Sequence, residues 1–225
     1  MKPQLLLLAL IISTGCFSQK RSVQTTSEKM LGSWYMYHGN HAVSERISLI
    51  SGFQLRTYET VNNYNLSFGY VGVAHHLKNN FSVALKYGYL EIDRSIEFVD
   101  QPNAIEHRIM EHVTHKIQWN HHKILQRVQL EHRFIDFMDN NTQQHRLRYR
   151  LGYQYRINKL LTANLNNEFF FHHDQKSYRE NRFYAGMNFR TTKHTQLKLG
   201  YMKQFINDQY LDRLQVGLLL NTDFR

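Results

Sequence analysis

The residues best suited to chemistry are arginines that alternate with apolar side chains between His145 and Ile157. This segment reads HRLRYRLGYQYRI, so Arg146, Arg148 and Arg150 occupy one set of alternate positions while leucines and tyrosines occupy the other. A guanidinium group binds carboxylates and phosphates through paired hydrogen bonds of fixed geometry. Three such groups on one face predict ion pairs with glutamates, or a site for anions.

Alternation with a period of two indicates a β-strand, because successive strand side chains point to opposite faces. The same pattern recurs in ten segments from Ser44 to Phe224. Strands of about ten to fifteen residues are long enough to cross an outer membrane when they tilt. Pro102 falls in a polar stretch at residues 92–104, as expected for a loop. We therefore predict an all-β fold, an antiparallel up-and-down transmembrane β-barrel of about ten strands, with twelve as the alternative.

The inner face of this barrel is expected to carry more bases than acids. A charged cluster is predicted at the inward positions Arg127, Glu131, Arg133, Arg146, Arg148, Arg150, Arg156, Glu168, Arg182, Arg190 and Lys198. Further inward bases are Arg46, Arg56 and Lys86. Pairs such as Arg148–Glu131 and Arg150–Glu168 would fill a narrow lumen. Surplus bases would instead attract anionic solutes, so a plugged barrel and an anion-preferring pore are both open.

Fourteen histidines raise the question of a metal site or a catalytic base. Adjacent pairs such as His75 and His76 point to opposite faces of a strand and seldom chelate one ion, so neither a metal nor a cofactor is predicted. His132 and His145 are expected to approach each other on the lipid side of one hairpin. A lipid-modifying enzyme of the phospholipase or lipid A deacylase type would need a serine beside such a histidine. Neither strand contains one, so this activity is only the alternative hypothesis, and no catalytic residue is assigned.

The N-terminus predicts export. Residues 1–18 contain one basic residue, then an apolar run from Leu5 to Ile12, then small residues, which is the layout of a signal peptide cleaved after Ser18. Lipoprotein processing at Cys16, the only cysteine, is the alternative. The chain of 225 residues has a formal net charge of +10, which would suit nucleic acid. Export and the lack of any recognisable nucleic-acid module argue against that partner.

These observations predict three regions. Residues 1–18 are the signal peptide, residues 19–43 a periplasmic segment with a possible short strand at 31–37, and residues 44–225 the barrel. Short turns alternate with longer loops, and the short turns of such barrels usually face the periplasm. An even number of strands would place both chain ends there. We expect a monomer in the outer membrane of a Gram-negative cell, in contact with lipids and lipopolysaccharide, and assembled by the barrel-assembly machinery through its C-terminal strand.

Short motifs at both ends of the barrel resemble a known family. The opening Trp34-Tyr35-Met36-Tyr37, a polar turn with Ser44-Glu45-Arg46, and a strand ending in Gln54-Leu55-Arg56 resemble the start of a Bacteroidota family. That family is catalogued as a domain of unknown function, number twenty-four ninety in its series. The HRLRYR run and the aromatic Phe224 resemble its later part. The resemblance covers nearly the whole chain after residue 18 and implies an outer-membrane barrel, but it implies no activity and no catalytic residues.

Overall fold

The computed structural model describes residues 30–93, 102–137, 140–172 and 179–225. These residues form eleven strands that close into one barrel, in which all neighbours are antiparallel except β1 and β11. The strands are β1 (Gly32–Ala42), β2 (Ile47–Thr57), β3 (Tyr64–His76), β4 (Phe81–Ile92), β5 (Ala104–Trp119), β6 (His122–Phe137), β7 (Asn140–Arg156), β8 (Leu161–His172), β9 (Arg179–Arg190), β10 (Thr195–Ile206) and β11 (Gln209–Asp223).

The polarity of the barrel is the reverse of that of a water-soluble protein. On β4, Leu85 and Tyr87 are exposed on the outer face, while Ser82 and Lys86 are buried inside. Inward positions on the other strands likewise carry buried glutamate, glutamine and arginine, and outward positions carry exposed valine, leucine and phenylalanine. A barrel wall of this kind can face the hydrocarbon of a membrane on its outer side and enclose a polar lumen. The predicted all-β up-and-down barrel is therefore confirmed.

Asparagines with positive φ lie in two of the short turns. Asn79 and Asn80 connect β3 to β4 with φ values of 57° and 63°, and Asn120 connects β5 to β6 with a φ of 48°. Two-residue hairpin turns require positive φ, which asparagine tolerates better than most residues. These turns fix which residues of adjacent strands lie opposite each other.

The number of strands differs from the prediction. The barrel begins at Gly32 rather than at residue 44, because the possible short strand is a full barrel strand, β1. Its Tyr35 lies opposite Leu55 of β2 and Val216 of β11. Alternation fails to reveal β1 because Trp34 and Met36, which line the lumen, are apolar as well. Eleven strands therefore replace the predicted ten or twelve.

The odd number of strands places the start of β1 and the end of β11 at opposite ends of the barrel. The connections 43–46, 77–80, 120–121, 157–160 and 191–194 lie at one end of the barrel, which we call the turn mouth. The other connections lie at the opposite end, the loop mouth. Because β1 and β11 are parallel, β1 starts at the loop mouth and β11 finishes at the turn mouth. The start of β1 and the end of β11 therefore lie at opposite mouths. Residues 1–29, on which the expectation of a shared side also depends, lie outside the described residues.

Part of the predicted loop at 92–104 lies outside the described residues, as does the predicted signal peptide. None of the described residues belongs to a helix that is long and apolar enough to cross a membrane.

Candidate functional site

One wall of the lumen, from β5 to β9, carries a connected network of ion pairs. Its arginines are Arg108, Arg127, Arg133, Arg146, Arg148 and Arg182, and its glutamates are Glu106, Glu131, Glu168 and Glu180. The centre is Glu131, whose side chain is 0 % exposed. Arg146 donates to its Oε2 over 2.6 Å and Arg148 to its Oε1 over 2.5 Å. Both oxygens of this buried carboxylate therefore have charged partners.

Two further arms extend from this centre. Arg148 also reaches Glu168, whose Oε1 lies 2.8 Å from Nη2 of Arg148 and 3.1 Å from Nη2 of Arg127. Arg146 lies 3.8 Å from Glu180, which accepts a hydrogen bond from Nε of Arg182 over 2.6 Å. Burying a carboxylate costs several kcal/mol unless hydrogen bonds and opposite charge compensate it. Sharing arginines between glutamates supplies this compensation.

A third arm approaches the loop mouth. Glu106, which is 0 % exposed, accepts hydrogen bonds from Arg133 on β6 over 2.8 Å and from Arg108 on its own strand over 2.7 Å. Glu106 and Arg108 are two positions apart, so they share the inward face of β5. Arg108 also lies 3.9 Å from Glu131, which connects this arm to the rest of the network.

The predicted pairs have different outcomes. The pair Arg148–Glu131 is present. Arg150 and Glu168 are opposite each other in register, yet within the described part of the chain Arg150 has no carboxylate oxygen within 4.0 Å. The reason is that the Glu168 carboxylate turns towards Arg148 and Arg127 instead. Register brings the candidates together, and the side-chain geometry decides which pair forms.

Three members of the network were missed by the sequence analysis: Glu106, Arg108 and Glu180. Their signal was available, because Glu106 and Arg108 alternate with outward Ile109 on β5, and Glu180 lies two positions before Arg182 and so on the same inward face of β9. The predicted cluster members Arg156 and Arg190 lie elsewhere. They are exposed at the turn mouth, where Arg156 donates a hydrogen bond to the carbonyl oxygen of Asn120 over 3.4 Å.

Two adjoining cavities lie inside the barrel. A cavity of about 800 Å³ extends from the network towards the turn mouth, and one of about 340 Å³ lies at the loop mouth. Trp34, Arg56 and Arg133 line both. The two spaces therefore adjoin at these side chains, and we call this junction the constriction.

The larger cavity holds bases that the network does not neutralise. We call the part lined by Lys86, Arg127, Arg150 and Lys198 the cationic chamber. Among the described residues, no carboxylate oxygen lies within 4.0 Å of the charged groups of Lys86, Arg150 or Lys198. Lys198 instead donates a hydrogen bond to Oε1 of Gln215 over 3.0 Å. The chamber is thus an electropositive space behind the ion-pair network.

Both lysines of the chamber lie over tyrosine rings. Nζ of Lys86 is 5.2 Å from the ring centroid of Tyr70, and Nζ of Lys198 is 4.1 Å from that of Tyr184. An ammonium ion over the face of an aromatic ring is attracted by the ring quadrupole. Each lysine thereby gains a favourable contact that leaves its charge uncompensated by an acid.

Glycines allow these rings to lie against the barrel wall. A Cβ atom on Gly52 would collide with the ring of Tyr70, and a Cβ atom on Gly200 would collide with that of Tyr184. Glycine in a strand interior often marks such a close approach. The glycine, the tyrosine and the lysine therefore form a repeated three-layer arrangement, which keeps the ring out of the cavity.

Two histidines lie close together on the outer face of the barrel. Nδ1 of His132 lies 2.9 Å from Nδ1 of His145, so the two approach each other as predicted. The strands that carry them, β6 and β7, contain no serine. Within the described ranges, no group of three or more histidine, cysteine, aspartate or glutamate side chains is placed to hold a metal ion.

Comparison with known proteins gives a family and a structural relative. No curated protein matches the chain. Among solved structures, the fold resembles an anion-selective porin from Comamonas acidovorans, with 12% sequence identity and a TM-score of 0.39. The match covers 77% of this chain and 55% of the porin, so the chain spans about half the length of that protein. The family described as "Protein of unknown function (DUF2490)" matches residues 31–215, in agreement with the resemblance noted in the sequence. The chain therefore belongs to this family of β-barrel proteins.

Proposed function

We propose that this protein is an outer-membrane barrel that admits small anions into a cationic lumen. The observation that carries this proposal is the chamber, in which Lys86, Arg150 and Lys198 have no carboxylate partner among the described residues. Charged side chains that line a narrow, low-dielectric passage attract ions of opposite sign and exclude ions of like sign. A surplus of bases therefore favours chloride and other small anions over potassium.

The charge balance of the lumen supports the same preference. Six arginines against four glutamates leave the network with a surplus of two positive charges. Arg56, Lys86, Arg150 and Lys198 raise this surplus to six. The potential along the lumen is therefore positive on both sides of the constriction.

The constriction limits what can pass. Glu106 and Glu131 are fully buried within the network, and Tyr184 and Met110 are each 2 % exposed. Side chains largely fill the interior of barrels with few strands. We therefore propose a low conductance that serves small ions, in contrast to the wide aqueous channel of larger porins.

The proposed location is the outer membrane. The exposed apolar outer face, the predicted signal peptide and the apolar outward positions of β11, such as Val216 and Leu218, support it. We also propose that the barrel-assembly machinery recognises the alternating C-terminal strand, β11. Lipids and lipopolysaccharide would then contact the outer face. Fractionation of the membranes of the producing cell tests this location. Detection of the protein only in the inner-membrane or soluble fraction would contradict it.

Ion selectivity provides the direct test of function. The folded protein is inserted into planar bilayers that separate two potassium chloride concentrations, and the reversal potential is measured. We expect the sign that corresponds to chloride permeation. Cation selectivity, or no conductance from protein shown to be folded and inserted, would refute the proposal.

A pair of variants connects the selectivity to the chamber. Lys86→Met with Lys198→Met should reduce the permeability ratio of chloride to potassium. Lys203→Met is the matched control, because Lys203 is 42 % exposed on the outer face and lies 3.6 Å from Asp212. It should leave the ratio unchanged.

A further inference from the structure

We propose that the cationic chamber is a binding site for a compact oxyanion with two or more negative charges, for which inorganic phosphate is the simplest probe. This inference rests on the proposed anion-admitting function and goes beyond it, because a saturable site differs from a passage that merely repels cations. Nothing in the family description assigns such a site.

Like charges repel each other within the chamber. Lys86, Arg127, Arg150 and Lys198 line the same cavity. Glu168 lies opposite Arg150 in register, but its Oε1 already accepts hydrogen bonds from Arg127 and Arg148. Like charges at partly buried positions repel each other more strongly than in water. A bound anion would remove this repulsion and stabilise the barrel.

The basic side chains of the chamber approach its centre from different walls of the barrel. Lys86 lies on β4 and Lys198 on β10, which are five neighbour steps apart in the closed ring of eleven strands and hence on opposite walls. Arg150 lies on β7, between them. A ligand with oxygens on several sides can accept hydrogen bonds from all three walls, whereas chloride offers one small sphere. The arrangement therefore favours a polyatomic, multivalent anion.

Two buried polar atoms that line the larger cavity have no hydrogen-bond partner among the described residues. Nε of Arg127 and Nδ1 of His112 are buried, line the same cavity, and have no hydrogen-bond partner among the described residues. Buried donors without a partner are rare in native proteins and call for an explanation. His38 also lines this cavity, where its Nδ1 lies 2.9 Å from the hydroxyl of Tyr70. An oxyanion would accept a hydrogen bond from Nε of Arg127, and from Nδ1 of His112 when that nitrogen carries the proton.

Titration calorimetry with inorganic phosphate on the folded protein in detergent tests this inference. Sodium chloride at matched ionic strength serves as the reference. We expect saturable heat with phosphate and none with chloride, together with a phosphate-dependent rise in the Tm of the barrel. Equal behaviour of the two salts would overturn the inference.

Variants locate the site. Lys86→Met and Lys198→Met should each weaken phosphate affinity by about tenfold or more, since each removes a buried charge from the ligand. Lys203→Met should bind phosphate with unchanged affinity. Heat-modifiable migration on gels shows whether each variant is folded. Binding that survives in both folded chamber variants would refute the assignment to the chamber.

Block of the chloride current by phosphate distinguishes this inference from the proposed function. Phosphate added to a conducting barrel should reduce the chloride current with the same saturation constant as the calorimetric one. An anion-selective barrel without saturable phosphate binding would refute the site but leave the proposed function intact. A cation-selective barrel that binds phosphate would refute the function and leave the site.

Discussion

The guanidinium carbon of Arg56 lies 3.7 Å from the centroid of the Trp34 ring. Arg182 approaches the same ring, with its guanidinium carbon 5.1 Å from the centroid. Trp34 is 7 % exposed and lines both cavities, so this stack lies where the two spaces meet. Arg56 also donates a hydrogen bond to Oε1 of Gln54 over 2.8 Å, which holds its guanidinium group along the inner face of β2.

Replacing Arg56 with alanine should widen the constriction. We expect Arg56→Ala to raise the single-channel conductance and to lower the preference for chloride, because the change removes both volume and positive charge. Planar bilayer recordings measure both quantities. Arg225→Ala is the control, since Arg225 is exposed beyond β11 and pairs with Asp223. An unchanged conductance in Arg56→Ala would show that the narrowest point lies elsewhere.

Neutralising the centre of the network should destabilise the barrel. Glu131→Gln leaves Arg146 and Arg148 without their shared carboxylate, and breaking a buried ion pair from one side costs about 3–5 kcal/mol. Urea unfolding of the protein in lipid vesicles, followed by tryptophan fluorescence, measures the free energy of unfolding. Glu45→Gln, at an exposed turn position, should change it by less than about 0.5 kcal/mol. Equal stability of the two variants would contradict the structural role of Glu131.

The glycine under Tyr184 should not tolerate a methyl group. Gly200→Ala forces the Tyr184 ring away from the wall and towards Lys198, and such overpacking typically costs about 1–3 kcal/mol. It should also weaken phosphate binding, because the displaced ring enters the chamber. Gly69→Ala is the matched control in a strand interior, since a Cβ atom there meets no atom within 4 Å. Its stability should equal or slightly exceed that of the parent, and a loss as large as that of Gly200→Ala would count against the steric explanation.

An outward glutamate offers a test of the membrane orientation. Glu111 is exposed at the middle of β5, opposite Leu85 and Leu130. Charged side chains on the lipid face destabilise a barrel most strongly near the middle of the bilayer. Glu111→Leu should therefore raise the free energy of unfolding in lipid vesicles by about 1–2 kcal/mol.

The control for this variant is Val113→Leu, which changes an exposed apolar neighbour on the same face of β5. It should leave the stability nearly unchanged. A destabilised Glu111→Leu barrel would indicate that Glu111 has a partner other than lipid.

The sequence by itself determines the class of the fold and the side on which each strand residue lies. Alternation is a local property, so Arg146, Arg148 and Arg150 can be assigned to the inner face without knowledge of any neighbour. The same reasoning extends to Glu106 and Glu180 once the alternation is followed to the ends of β5 and β9. It fails at β1, where Trp34 is apolar although it faces the lumen.

The tertiary structure alone decides how the strands close and which charges meet. The parallel contact between β1 and β11 joins residues that are about 180 positions apart, and no local pattern specifies it. Closure then sets the register and the curvature of the lumen. These determine that Arg148 reaches two glutamates, while Arg150 reaches none among the described residues. The sequence therefore predicts which groups face inward, whereas only the closed barrel decides which of them remain available to an anion.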